Sequence, residues 1–177
     1  MSKAALLRGA QKRLRATFDD PSGKRIGIQP TGQPPPFAGQ WYIAIHPGAR
    51  SNSDTNPLSL EERYDLGVTV TVRMGYAPKD RQGERVLLDA PDGILHLADR
   101  IRADLHGNYD VLIEANTLIG DESNGFVEPL SFQSDSVIQE KPASWVWADD
   151  DENPPTTFAV EMKFGGALRV QTLESQT

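Results

Sequence analysis

The most informative absence is cysteine, because none of the 177 residues carries a thiol. Disulfide frameworks, Cys-ligated zinc or iron–sulfur sites and thiol nucleophiles are therefore excluded. The apolar runs are only a few residues long, far short of the roughly 20 residues that a membrane-spanning helix needs. No apolar segment follows Lys3, so we expect no Sec signal peptide.

Length and composition predict one ordinary domain. The chain has a mass of 19.5 kDa, and 38% of its residues are hydrophobic, which is enough for a real core. Aromatic residues are few, at 7%, whereas 15 glycines and 13 prolines indicate that loops form a large part of the chain. We expect a single domain over residues 1–177, with two very small domains as the alternative.

The charge is negative and unevenly distributed. A net charge of −7 and a pI near 4.9 argue against tight binding to nucleic-acid phosphates. Residues 1–25 nevertheless hold seven of the 18 basic residues and only two of the 25 acidic ones. Such a basic start is compatible with an organelle transit peptide, but we favour a structural helix with a solvated basic face.

Two segments have the periodicity of amphipathic helices. Apolar side chains recur at helical spacing in residues 3–18, and a Pro/Gly turn follows them. Residues 92–106 show the same spacing, with Asp89 or Asp92 as a possible N-terminal cap. We therefore predict two helices.

The clearest pattern in the chain is a strict alternation of apolar and polar residues over 63–74. A period of two predicts a long strand with one buried and one solvent-exposed face. We expect Val70 and Val72 to be nearly fully buried, and Thr69 and Thr71 to be markedly more exposed or to face a neighbouring subunit. A wet face favours antiparallel pairing.

Weaker patterns predict the remaining elements. The further strands are residues 41–45, 111–115, 126–132 and 157–164. Residues 26–40 are rich in proline and glycine and predict an extended arm. Residues 49–62 predict a polar loop and residues 133–156 a polar, acidic excursion, and both are long enough to suggest contacts with other chains.

These elements predict an α+β fold, an antiparallel sheet with two helices packed on one face. The sheet-and-helix body comprises residues 41–132 and 157–170. The helix over 3–18, the arm over 26–40 and the excursion over 133–156 are attached to that body.

No constellation in the sequence is typical of catalysis or metal binding. His96 and His106 are about 15 Å apart along one predicted helix, so they cannot share a metal ion. His46 has no partner in the pattern, and we expect all three to be ordinary surface or helix-end histidines. Neither a Gly-x-Ser-x-Gly elbow nor a His-Glu-x-x-His pair occurs. We predict no enzyme activity, cofactor, metal site, specific nucleic-acid contact or membrane contact.

Three groups of side chains are candidate contact surfaces. The bases of the first helix form one group, the indoles of a possible strand form the second, and an acidic run forms the third. The run lacks the spaced oxygens and mid-loop glycine of an EF-hand, and the indoles fit either a core or a partner surface. The candidate interface residues are Arg8, Lys12, Arg13, Arg15, Trp145, Trp147, Asp149, Asp150, Asp151 and Glu152.

The order of the elements carries a resemblance to a known family. A helix leads through a Pro/Gly arm into the strand Gly39–Ile45, and a polar loop leads into the long strand that begins at Arg63–Leu66. A helix then carries Leu95–Ile101, and the strand Phe158–Phe164 comes last. This layout resembles the tail terminator proteins of long-tailed bacteriophages and, more loosely, the related minor tail and neck proteins.

The resemblance covers roughly residues 3–170, although residues 110–156 are longer than in compact members of that family. It implies a homo-oligomeric ring, usually a hexamer, that caps the head-proximal end of the tail tube and has no active site. The implied partners are the tail tube protein and the head–tail connector or neck protein, with DNA only in transit. The implied location is the tail or neck of the virion, and the host cytoplasm during assembly.

A ring needs two different patches on each subunit. The basic first helix and the acidic run Asp149–Glu152 are one plausible pair, and the alternative is that both are solvated and never meet. Other functions compatible with the sequence are another neck, head-completion or minor tail protein, a non-enzymatic adaptor or assembly chaperone, and an enzyme with an unrecognised site.

Overall fold

The structure is a computed structural model that describes residues 2–37, 39–52, 60–73, 93–120, 125–126, 128–141 and 157–170. Its helices are α1 (Ser2–Thr17), α2 (Ile94–Leu105) and α3 (Tyr109–Ile119). Its strands are β1 (Ile26–Ile28), β2 (Trp41–Asn52), β3 (Leu60–Arg73), β4 (Gly125–Phe126), β5 (Ser131–Lys141) and β6 (Thr157–Val170). The predicted α+β class is confirmed, with a sheet that is largely antiparallel.

Three long strands form the centre of the sheet. β2 pairs with β3 and β3 with β6, both antiparallel, while β4 and β5 each pair with the other side of β6. β1 departs from the prediction, because it adds to β2 as a parallel strand. β3 and β6 have 14 residues each and span about 46 Å, whereas the 16 residues of α1 span about 24 Å.

The hydrophobic core lies between one face of the sheet and the three helices. Alternate side chains of β3 from Tyr64 to Val72 are buried in it, which confirms the predicted burial of Val70 and Val72. The apolar faces of α1 and α2 pack against them, since Leu14 and Ile101 are fully buried. The alternation therefore predicted correctly which side of β3 faces the helices.

The opposite face of the sheet corrects a prediction. Thr69 and Thr71 do not lie on a wet face, because they are only 3% and 2% exposed. The arm that follows β1 crosses this face, and Gly32 lies so close to Thr69 that a side chain at Gly32 would overlap its hydroxyl. Alternation identifies the face on which a residue lies, but it contains no information about what covers that face.

Residues 29–37, the part of the predicted arm that follows β1, are called the arm from here on. This segment is attached to β2 at both of its ends. At its start, the Gln29 backbone N–H donates to the carbonyl of Ile45 at 2.9 Å, and the Gln29 side chain donates to the Tyr42 hydroxyl at 3.1 Å. At its end, the Phe37 ring packs on the Tyr42 ring with the centroids 5.6 Å apart. The Pro/Gly segment is therefore a cover over the second face of the sheet.

The helices confirm two predictions and correct a third. α1 and α2 match the predicted helices over 3–18 and 92–106 within a residue or two, although Gly93 occupies the N-cap of α2 and makes no side-chain bond. The predicted strand over 111–115 is wrong, because these residues belong to α3. The Asn108 side chain caps α3 by accepting from two backbone N–H groups, and Gly120, at a φ of 68°, ends it.

The strands extend further than predicted. β2 does not end at Pro47, because a bulge between Pro47 and Arg50 lets pairing with β3 continue. β3 likewise begins at Leu60, so both ends of the predicted loop 49–62 are strand. The rest of that loop, residues 53–59, lies outside the described residues.

The acidic excursion is also partly strand. β5 occupies the beginning of the segment predicted as irregular over 133–156, and residues 142–156 lie outside the described residues. The predicted strand over 126–132 is interrupted, because its ends belong to β4 and β5. Two glycines within β6, Gly165 and Gly166, do not end that strand, since both pair with β3.

Candidate functional site

Two of the four predicted interface bases of α1 make ion pairs within the chain. The Lys12 ammonium lies 2.8 Å from the Glu114 carboxylate on α3. The Arg13 guanidinium lies 2.7 Å from the Asp104 carboxylate on α2 and 3.5 Å from the Asp110 carboxylate on α3. These contacts attach α1 to the other two helices, which reduces the charge that the two bases offer to a partner.

The other two bases differ from each other. The Arg15 guanidinium donates twice to the carbonyl of Ile26, at 3.1 and 3.2 Å, and thus occupies the outer edge of β1. Arg8 is exposed, and no acidic group among the described residues pairs with it. Arg8 is therefore the base of α1 that is most available to a partner.

Arg13 and Arg8 should differ in their contribution to stability. The Asp104 side chain is only 8% exposed and, apart from Arg13, accepts a hydrogen bond from the Thr17 hydroxyl at 2.6 Å. Arg13→Ala leaves this carboxylate without its cation, so we expect the free energy of unfolding to fall by about 2 kcal/mol. Arg8→Ala is the matched control and should change it by less than about 0.5 kcal/mol in urea titrations. If both variants lost the same free energy of unfolding, Arg13 would not stabilise the fold through Asp104.

The remaining candidate interface residues belong to the predicted excursion over 133–156. Trp145, Trp147 and the acidic run Asp149–Glu152 lie outside the described residues. The pairing of that run with the basic helix of a neighbouring subunit therefore stays a prediction.

The outer side of α3 carries exposed apolar side chains that are not among the predicted interface residues. Tyr109 and Ile113, one turn apart, are 64% and 61% exposed, while Val111 and Ala115 on the inner side are buried. The i to i+4 spacing of Tyr109 and Ile113 was the available signal. It was overlooked because the prediction of a strand over 111–115 separated the two residues.

His46 is the second feature that the sequence analysis placed wrongly, since it is 8% exposed rather than on the surface. Its Nε2 atom lies 3.1 Å from the Thr69 hydroxyl and 4.0 Å from the nearer Glu161 oxygen. Burial lowers the pKa of His46, while the Glu161 carboxylate and a hydrogen bond to the Pro47 carbonyl act in the opposite direction.

The geometry of this cluster differs from that of a nucleophile–base–acid triad. In a triad the acid contacts the imidazole nitrogen opposite the one that contacts the nucleophile. Here Thr69 and Glu161 both approach Nε2 of His46, and Thr69 is buried under the arm. The cluster is therefore suited to holding a buried neutral imidazole.

The other two histidines lie on or beside α2. His96 is exposed, and His106 accepts a hydrogen bond from the Phe132 backbone N–H at 3.0 Å. His106 and Phe132 line an open cleft of about 430 Å³ together with Arg102, whose guanidinium lies 5.4 Å from the Phe132 ring centroid. Within the described ranges, no three histidine or carboxylate side chains are grouped as a metal site would require. No helix of that part of the chain is long and apolar enough to cross a membrane.

Among the described residues, Arg8 on α1 and the outer side of α3 are thus exposed, whereas the arm covers the second face of the sheet. In comparisons with known proteins, no family model and no curated protein matches this chain. The order of its elements and their geometry are therefore the basis for a functional proposal.

Proposed function

We propose that this chain is a structural subunit of a bacteriophage tail, a terminator that forms a ring on the head-proximal end of the tail tube and joins it to the head–tail connector. α1 leads through the arm into β2, β2 pairs with β3, α2 follows, and β6 returns beside β3. This is the order of elements on which the resemblance to tail terminators depends.

The observation that carries the proposal is the length of the central strand pair. β3 and β6 pair without a register shift from Leu60 opposite Val170 to Arg73 opposite Thr157. At about 46 Å, this pair is roughly twice as long as the longest helix of the layer above it. In a closed ring, the ends of such long strands can contact neighbouring subunits.

Two surfaces are available for the contact between subunits. Tyr109 and Ile113 supply apolar area, which must hold the ring, because an exposed ion pair contributes at most about 1 kcal/mol. Arg8 supplies a charge that the acidic run Asp149–Glu152 of a neighbouring subunit would attract. Opposite charges of this kind steer docking and fix register more than they add affinity.

Removing the chain from phage-producing cells tests the proposal directly. We expect tails of irregular length that are not joined to heads, because a tube without its terminator continues to polymerise. Electron microscopy of the particles measures both tail length and head attachment. Head-joined tails of normal length would contradict the terminator proposal. In a separate sizing experiment, a chain that stays monomeric or dimeric with purified tube protein would support an adaptor instead.

A pair of point variants locates the interface within the same experiment. Ile113→Asp should prevent ring formation on the tube and leave stability unchanged, because this side chain is largely exposed. Leu95→Asp places the same charge at an exposed leucine on α2 and should assemble normally. Arg8→Glu tests the charge pairing more cleanly than reversal of Lys12 or Arg13, whose ion pairs within the chain would also be lost. Equal assembly of both aspartate variants would exclude the outer side of α3.

A further inference from the structure

His46 lies between the arm and the sheet. Beneath it, Gly67 of β3 leaves room for the ring, since a Cβ at Gly67 would overlap the imidazole. On the arm, Gly32 is also close, because a Cβ at that position would lie 3.2 Å from His46 Nε2. Two glycines on different segments therefore enclose one imidazole, and displacing the arm exposes it to water.

The hydrogen bonds of His46 fit the neutral ring. Pro47 has no backbone N–H, so the hydrogen bond between His46 and the Pro47 backbone is one in which the ring donates to the carbonyl. We assign that proton to Nδ1, since Nε2 faces the Thr69 hydroxyl at 3.1 Å. The neutral Nε2 then accepts a hydrogen bond from the Thr69 hydroxyl.

The charged and titratable groups around His46 are few. On β6, a Glu161 carboxylate oxygen lies 4.0 Å from Nε2. Lys163, two residues further along β6, lies on the same face opposite Gly67. On β3 the same face carries Thr69 and, beyond Gly67, Asp65; on β2 it carries the phenol of Tyr42. The arm segment over 29–33 has no titratable side chain. Among the described residues, Glu161 is thus the group whose charge shifts the pKa of His46.

We propose that His46 is an acid-sensitive latch for the arm, so that protonation of its imidazole releases residues 29–37 and uncovers Tyr42, Ala44 and Thr69 on the second face of the sheet. The helix side of the sheet would keep its core, since the arm packs on the other face. The latch is independent of whether the chain forms a ring.

The direction of the effect follows from proton linkage. Protonation of Nε2 removes the hydrogen bond that Thr69 donates to it and places a cation beneath the arm. Burial lowers the pKa of His46, and the Glu161 carboxylate offsets this effect only in part. The open form hydrates the imidazolium and binds the proton at an ordinary histidine pKa of about 6.5. Acid therefore favours the open form, progressively as the pH falls below that value.

A single introduced thiol can report the opening, because the chain has no cysteine. Ala44 is fully buried and packs with Phe37 and Tyr42 beneath the arm, so Ala44→Cys becomes reactive when the arm leaves. Val160→Cys, buried on the helix side of β6, reports opening of the core. The probe is a dipyridyl disulfide, with each rate divided by that of an unstructured thiol peptide at the same pH.

We expect the corrected rate of Ala44→Cys, relative to Val160→Cys, to rise about threefold or more from about pH 7.5 to about pH 5. Adding His46→Gln should abolish the rise, because the amide still accepts from Thr69 but does not titrate. Adding Glu161→Gln should enlarge it, because the buried imidazolium loses its nearest carboxylate. The proposal is overturned if the rate ratio in the parent does not depend on pH, or if its rise persists with His46→Gln. It is also overturned if Glu161→Gln leaves the rise unchanged or makes it smaller.

Discussion

Val70→Asp is expected to lower the free energy of unfolding by about 4 kcal/mol or more, which is enough to unfold many domains. Val70 is fully buried in the middle of β3, between Ile43 on β2 and Val160 on β6. A carboxylate there would be surrounded by apolar side chains and would find no cation. Urea denaturation followed by circular dichroism measures the loss.

Val70→Thr is the matched control for this variant. Threonine keeps the branched shape of valine and replaces one methyl group with a hydroxyl, so we expect a loss of about 1 to 3 kcal/mol. A Val70→Asp variant as stable as the parent would mean that this side of β3 does not face the core. The comparison therefore separates the effect of a buried charge from that of a buried uncharged polar group.

Much of the helix-facing core could be predicted from the sequence, because it depends on local periodicity. The alternation over 63–74 indicates which side chains of β3 face the core, and the spacing in α1 and α2 indicates their buried faces. α3 was missed because a short apolar run such as 111–115 fits a strand or a helix equally well. The distinguishing feature is the Asn108 cap, which lies outside the run.

The extent of the strands depends on their neighbours rather than on local sequence. Pro47 and the pair Gly165–Gly166 resemble strand ends when taken alone. In the structure, a bulge accommodates the proline, and both glycines pair with β3. Partners distant in the sequence thus override the local preference.

The environment of the candidate contact residues was also beyond local prediction. Arg13 and Lys12 find their carboxylates 91 and 102 residues away, so no spacing rule connects them. His46 and Thr69 are buried because a segment rich in glycine and proline passes over them. Composition predicted that this segment is extended, but not the face on which it lies.

The second large effect is expected at Asp20, a buried carboxylate at the corner between α1 and β1. Its oxygens accept hydrogen bonds from the backbone N–H groups of Lys24, Arg25 and Ile26 at 3.0 to 3.2 Å. The Ser22 hydroxyl adds a fourth at 3.3 Å. The sequence pattern indicates only that α1 ends near this residue, because a turn that is organised by one carboxylate has no periodicity.

Asp20→Ala should lower the free energy of unfolding by about 3 kcal/mol or more, because three backbone N–H groups lose a charged acceptor and are left partly buried. Asp20→Asn should have an intermediate effect, since one oxygen remains as an acceptor. Asp19→Asn removes the same charge at the exposed neighbouring residue, whose φ of 50° asparagine tolerates, and should be neutral within about 0.5 kcal/mol. Urea titrations of the three variants measure these differences. If Asp20→Ala were as stable as Asp19→Asn, the carboxylate would not hold the corner from which β1 and the arm begin.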